Sequence, residues 1–206
     1  MITRRKYFPI LGIAVLVVQT QSVASMGQSE RPALKWELVS SPSGTETLSA
    51  DDDPYRTWES PQVVMKGPEQ FTELPRTIRD ELLRRRCRVP QELQTKRVHN
   101  LIWGEFDRRG QRDLAVICVQ GRTAVALMFW AGNARRVEQL PFEANGSTLT
   151  VATAADVERH APPNAKVTSD APHLVEHDVI EVACCECCSS YYYRHFERWY
   201  RAAGAD

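Results

Sequence analysis

No apolar run in this chain is long enough to cross a bilayer as a helix. The longest, Tyr7–Val18, is about 12 residues, against the roughly 20 that a spanning helix needs. Neither sign of charge dominates, with 26 Lys and Arg against 26 Asp and Glu. A chain so balanced has no general pull on nucleic acid or anionic membranes. The sequence has no Gly-x-Ser-x-Gly elbow, no His-Glu-x-x-His and no phosphate loop. Carboxylate pairs such as Glu176 and Asp178 exist, but nothing in the sequence makes them converge. The expectation is therefore not an enzyme.

What is present begins with an export pattern. Arg4, Arg5 and Lys6 precede the apolar run, and Ser22 and Ala24 fit the small-residue positions of a cleavage site. This is the three-part form of a signal peptide over residues 1–24. Thr3-Arg4-Arg5-Lys6-Tyr7-Phe8 also resembles a twin-arginine signal, with Pro9 where a basic residue is common. General (Sec) secretion is the other route, and either makes the mature chain periplasmic or secreted. No cysteine lies near the cleavage site, so no lipid anchor is indicated, and cleavage would leave no integral membrane span. It would remove three basic residues and no acidic one, leaving 23 basic against 26 acidic side chains. About 180 residues would remain, enough for one core.

Residues 25–60 read as a loosely ordered arm. "SSPSGTETLSADDDP" has few apolar side chains with which to offset the entropy of ordering. Asp51, Asp52 and Asp53 read as a solvated loop, and Trp36 and Trp58 as points where the arm meets the domain. Residues 61–206 are expected to form a single domain. Leu74, Ile78 and Leu82 recur every four residues, with Pro75 before them and Pro90 beyond, which predicts an amphipathic helix. Arg84, Arg85, Arg86 and Arg88 gather at its end, favoured there by the helix dipole.

The pattern then changes to strands. "VHNLIWGEF", "DLAVICVQ", "TAVALMFW" and "RRVEQL" are short runs of Val, Ile, Leu and aromatics punctuated by Gly and Asn, as in an antiparallel meander. "TAADVERHA" predicts a short helix ended by Pro162-Pro163. "VIEVACC", "SYYYRHF" and "RWYRA" predict a last hairpin. The expected fold class is α+β, one helix packed on a mostly antiparallel sheet.

"GEFDRRGQRDLAV" resembles the calcium-binding loop of FG-GAP repeats. Glu105, Asp107, Arg109 and Asp113 fall on the four side-chain ligand positions, and Gly110 matches the turn glycine. Arg109 puts a cation where an oxygen belongs, which argues against calcium. The loop occurs once, so a propeller built of repeats is not indicated. More widely, "LPRTIRDELLRRRCRVPQ", "NLIWGEFDRRGQRDLAVIC", "ALMFWAG" and the ending "YYYR…RWYRAAGAD" resemble an uncharacterised family of secreted bacterial proteins. The resemblance implies a common fold and no activity. Its pattern includes Cys87, just past the helix, and Cys118, in a strand. In an oxidising compartment the expected reading is a Cys87–Cys118 disulfide, with two buried free thiols as the alternative.

The remaining four cysteines are Cys184, Cys185, Cys187 and Cys188 in "CCECC". A flat strand holds Cys-x-x-Cys pairs too far apart to bridge, whereas a turn brings them within reach. Three readings stay open. The segment braces a hairpin with local disulfides or pairs with cysteines elsewhere in the chain, binds Cu or Zn through thiolates, or holds a redox pair. His173, His177 and His195 are candidates to complete a mixed metal site. Apart from that Cu or Zn alternative, no cofactor is expected. Tyr191, Tyr192, Tyr193, His195, Phe196, Trp199 and Tyr200 read as a packed hairpin or as a stacking platform for a glycan or protein partner. The functional expectation is an exported, non-catalytic structural or binding domain. The alternative is a thiol-based metal or redox protein.

Overall fold

The computed structural model describes residues 37–39, 63–93, 98–121, 123–142, 144, 146–160, 175–184 and 188–204. In chain order, β1 (Glu37–Val39) and β2 (Val63–Lys66) precede α1 (Arg76–Arg84), and β3 (Val89–Glu92) follows it. Next come β4 (Leu101–Gly104), β5 (Asp113–Gln120), β6 (Thr123–Phe129) and β7 (Val137–Gln139). β8 (Ser147–Ala152), α2 (Ala154–His160), β9 (Val179–Cys184), β10 (Cys188–His195) and β11 (Arg198–Ala203) complete the chain.

These strands make mostly antiparallel sheets with few helices. β4-β5-β6-β7 form one four-stranded sheet, β1-β11-β10-β9-β8 a five-stranded one, and β2-β3 a ribbon. The single expected sheet is therefore two sheets and a ribbon: β4–β7 run as an up-and-down meander, β8–β11 do the same with β1 added beside β11, and the second, short helix expected from the sequence is present as α2. β2, β3 and β8 were not anticipated. β1 falls within the stretch expected to be loosely ordered and pairs with β11 through Leu38 opposite Tyr200. Among the described residues no helix is long and apolar enough to cross a membrane.

β5 explains the layering. Its first seven residues are all buried. Successive side chains point to opposite faces. Leu114, Val116 and Cys118 pack against Leu74, Ile78 and Leu82 from α1 and the turn before it. Ala115, Ile117 and Val119 pack against Leu149, Ile180, Val182, Tyr192 and Trp199 of the larger sheet. The other face of that sheet buries Tyr191, Tyr193 and Tyr200 with Val157 of α2. Each fully buried Leu, Ile or Val contributes about 1.5–3 kcal/mol.

The end of α1 sets up the disulfide. Arg86 takes φ 58°. The Arg86 N–H donates to Leu83 O at 2.8 Å, and the Cys87 N–H to Leu82 O at 2.9 Å. This Schellman pattern turns the chain inward. Cys87 then meets Cys118, bonded at a Cα separation of 4.8 Å. The expected pairing is thus formed, and it ties the end of α1 to the central strand.

Candidate functional site

The turn joining β4 to β5 is built around one carboxylate. Asp113 is fully buried. Its Oδ2 accepts from the Phe106 N–H at 3.0 Å and the Asp107 N–H at 3.1 Å. Its Oδ1 accepts from Gln111 Nε2 and the Ala131 N–H, both at 2.7 Å. Four donors satisfy a charge that would otherwise be costly to bury. Gly110, at φ 79°, lets the turn close.

This arrangement disposes the FG-GAP-like residues differently from a cation cage. Asp113 spends its oxygens on N–H donors. The Asp107 carboxylate is bound by the Arg194 guanidinium, and Arg109 Nε donates to Glu176 O. The Glu105 N–H donates to Asp178 Oδ2 at 2.9 Å, and the Asp178 N–H returns a bond to Glu105 O at 3.1 Å. The loop thus serves as a tie to the segment before β9, and the donor geometry at Asp113 does not suit calcium.

Arg194 connects the turn to the contact between the sheets. Its guanidinium lies 4.0 Å from the centre of the Trp130 ring, and Nη2 is 3.8 Å from Glu138 Oε2. Glu138 accepts from the indole N–H of Trp130 at 2.9 Å and of Trp199 at 3.1 Å. One carboxylate therefore joins the indole just past β6 to the indole of β11.

Beside this anchor lies an open cleft of about 650 Å³. One wall is the turn, with Asp107, Arg108 and Arg109; Glu176 and His177 line another part. The β10–β11 hairpin supplies Tyr193, Arg194, His195 and Phe196. Tyr193 is buried and its hydroxyl accepts from the Glu176 N–H at 3.1 Å. Burial pushes its phenol pKa up. The His177 ring stacks on Tyr193 at 4.4 Å, with Nδ1 3.0 Å from Asp178 O and Nε2 2.9 Å from Arg194 O. Both of its nitrogens face the backbone, so metal ligation would cost one of those contacts. His195 sits 4.2 Å from the Phe196 ring. Phe196 is 86% exposed.

Arg108 and Arg109 have no carboxylate partner among the described residues, whereas Arg84, Arg85, Arg159 and Arg194 each have one. The cleft has cations, acceptors and rings but no serine, cysteine or lysine among its described lining residues. That set suits recognition of an anion better than nucleophilic chemistry.

Of the residues singled out from sequence, Asp107, Arg109, His177, Tyr193, His195 and Phe196 converge here. His173, Cys185 and Cys187 lie outside the described residues, as do residues 1–24, Trp36, Asp51–Asp53 and Trp58. For Cys184 and Cys188 only the backbone is described, and they are register partners across β9 and β10. Among the described residues no group of three or more His, Cys, Asp or Glu is placed to hold a metal ion. Tyr191, Tyr192, Trp199 and Tyr200 are core residues, which leaves His195 and Phe196 as the accessible rings of that aromatic run. Arg108, Glu176 and Arg194 were missed as site residues. A two-residue turn of Phe196-Glu197 where Asn-Gly is preferred is the signal that marks the hairpin end.

No protein-family model, curated protein or solved structure matches the chain.

Proposed function

We propose that this chain is an exported, non-catalytic binding domain, and that the cleft between the β4–β5 turn and the β10–β11 hairpin takes an anionic ligand. The observation that carries this reading is that Arg108 and Arg109, which have no carboxylate partner among the described residues, line one cavity together with the accessible rings of His195 and Phe196. A guanidinium presents planar, paired donors that match a carboxylate or oxyanion. The test is an amide chemical-shift titration of the full chain with sodium citrate and sodium sulfate. Shifts should gather at residues 105–112, 175–178 and 193–197, and the Arg108→Met, Arg109→Met double variant should lose them. Scattered shifts, or a double variant that titrates like the parent, would remove the reading.

A second reading keeps the thiol chemistry, supported by one observation. The strand register sets Cys184 opposite Cys188. Direct cross-strand neighbours have Cα atoms about 4.5–5.5 Å apart, close enough for two cysteines to pair or share a soft metal. Native mass with and without thiol alkylation decides it. Free, alkylating thiols or a metal adduct would favour this reading, and neither would favour a structural brace.

A further inference from the structure

We infer that the ligand of the cleft is a carboxylate-bearing sugar ring, a uronate residue of an acidic glycan. The inference rests on the cleft being the anion site proposed above. Three features narrow the ligand class.

The first is charge. The cleft gathers the guanidiniums of Arg108, Arg109 and Arg194 and the carboxylates of Asp107 and Glu176. Counting only the arginines and carboxylates of the described lining, the excess is one positive charge. One excess charge matches one carboxylate. A phosphate dianion or a nucleotide would over-neutralise it and meet the Glu176 carboxylate, and a zwitterion would leave the excess unmet.

The second feature is the tip of the β10–β11 hairpin. Phe196 presents an accessible ring, with His195 tilted against it at 55°. Phe196 and Glu197 take φ 46° and 62°, so the two residues closing this hairpin are both left-handed. Glycine or asparagine would hold such a turn with less strain. Strain of this kind gathers at functional sites. An accessible ring held there offers an apolar face to the C–H face of a pyranose.

The third feature is acceptors. The exposed Glu176 is available to sugar hydroxyls. Asp107 has one oxygen held by Arg194, while among the described residues its other receives only a long 3.4 Å contact from Gln111. Sulfate would use the arginines alone, and a neutral sugar the ring and acceptors alone. A uronate uses all three sets. The open mouth of the cleft leaves room for the chain of sugars to continue.

The experiment is calorimetric titration of the full chain with a trisaccharide carrying a single galacturonate, its methyl ester, maltotriose, sulfate and adenosine monophosphate. The acidic trisaccharide should bind, and the neutral ester and maltotriose at least about tenfold more weakly, the size expected for losing one charge-assisted hydrogen bond. Phe196→Ala, at an exposed position, should lose about tenfold while its circular dichroism is unchanged, and Phe196→Trp should retain binding. If the ester or maltotriose binds as well as the acid, or if Phe196→Ala binds like the parent, the inference is wrong. If sulfate or the nucleotide is preferred at the same residues, the uronate inference falls while the anion site stands. If no probe perturbs the cleft, both fall.

Discussion

Asp107 and Arg194, 87 residues apart in sequence, form an ion pair that fastens the β4–β5 turn to β10. The two side chains are 19% and 12% exposed. The pair stands at the inner edge of the cleft and beside the indoles that join the sheets, so one contact holds both the site and the core.

Breaking this pair from one side should be costly. Asp107→Asn leaves the largely buried Arg194 guanidinium with only the longer contact to Glu138 and is expected to lose about 2–3 kcal/mol. Urea unfolding at neutral pH measures this. Combining it with Arg194→Met should cost less than the two single changes added together. Strict additivity would mean that the pair is not coupled.

The disulfide has a simpler expectation. Cys87 and Cys118 are 31 residues apart. Closing a loop of that length stabilises by about 3–4 kcal/mol in the chain-entropy model. Replacing both cysteines with Ala should lower the urea midpoint accordingly. A midpoint unchanged from the oxidised parent would contradict a formed bond.

Glu81 provides a pH test. Hydrogen bonding from Arg84 is the largest cause that lowers its carboxyl from 4.5 to about 2, and Arg85 adds to it. Arg84 Nη2 and Arg85 Nε both lie 2.7 Å from Glu81 Oε1. Since the folded value lies below the unfolded one, its contribution is present above pH 4.5 and lost as pH falls through about 2. These partly solvated helix pairs are worth about 0.5–1 kcal/mol together. Glu81→Gln should cost that much at pH 7 and far less at pH 2, read from thermal melts. An equal cost at both pH values would point to packing instead of charge.

Phe196 and Glu197 should trade stability for binding. Each left-handed non-glycine residue costs roughly 1–2 kcal/mol. Asn and Gly at these positions are expected to stabilise the hairpin by about 1–2 kcal/mol while weakening uronate binding. A double variant that gains stability and still binds would mean that the ring is dispensable.

Some of this was legible in the sequence. Leu74, Ile78 and Leu82 carry a period that only a helix satisfies, and the continuous apolar run of β5 marks a strand buried on both faces. Other elements hide for physical reasons. β3 contains Pro90 and Gln91, which look like a helix stop, and Pro90 is accommodated beside the ribbon partner Met65. β8 is held partly by a residue outside it. Asn100 Oδ1 accepts from the Leu149 N–H at 2.7 Å. The site hides most thoroughly, because its walls come from three distant segments. Arg109 was noticed only as a residue that spoils a calcium loop. Its place in the cleft, without a carboxylate partner among the described residues, depends on where Glu176 and Phe196 arrive in space.

The Glu138 bridge has an optical consequence. Trp130 and Trp199 have ring centres 6.0 Å apart and planes 28° from parallel. Two indole transition moments so close and skewed couple as an exciton pair and should give a signed couplet in the ultraviolet dichroism. One ring belongs to each sheet's side of the interface, so the couplet vanishes if the sheets part, even while every strand remains. The molecule thus carries its own spectroscopic ruler for the separation of its layers.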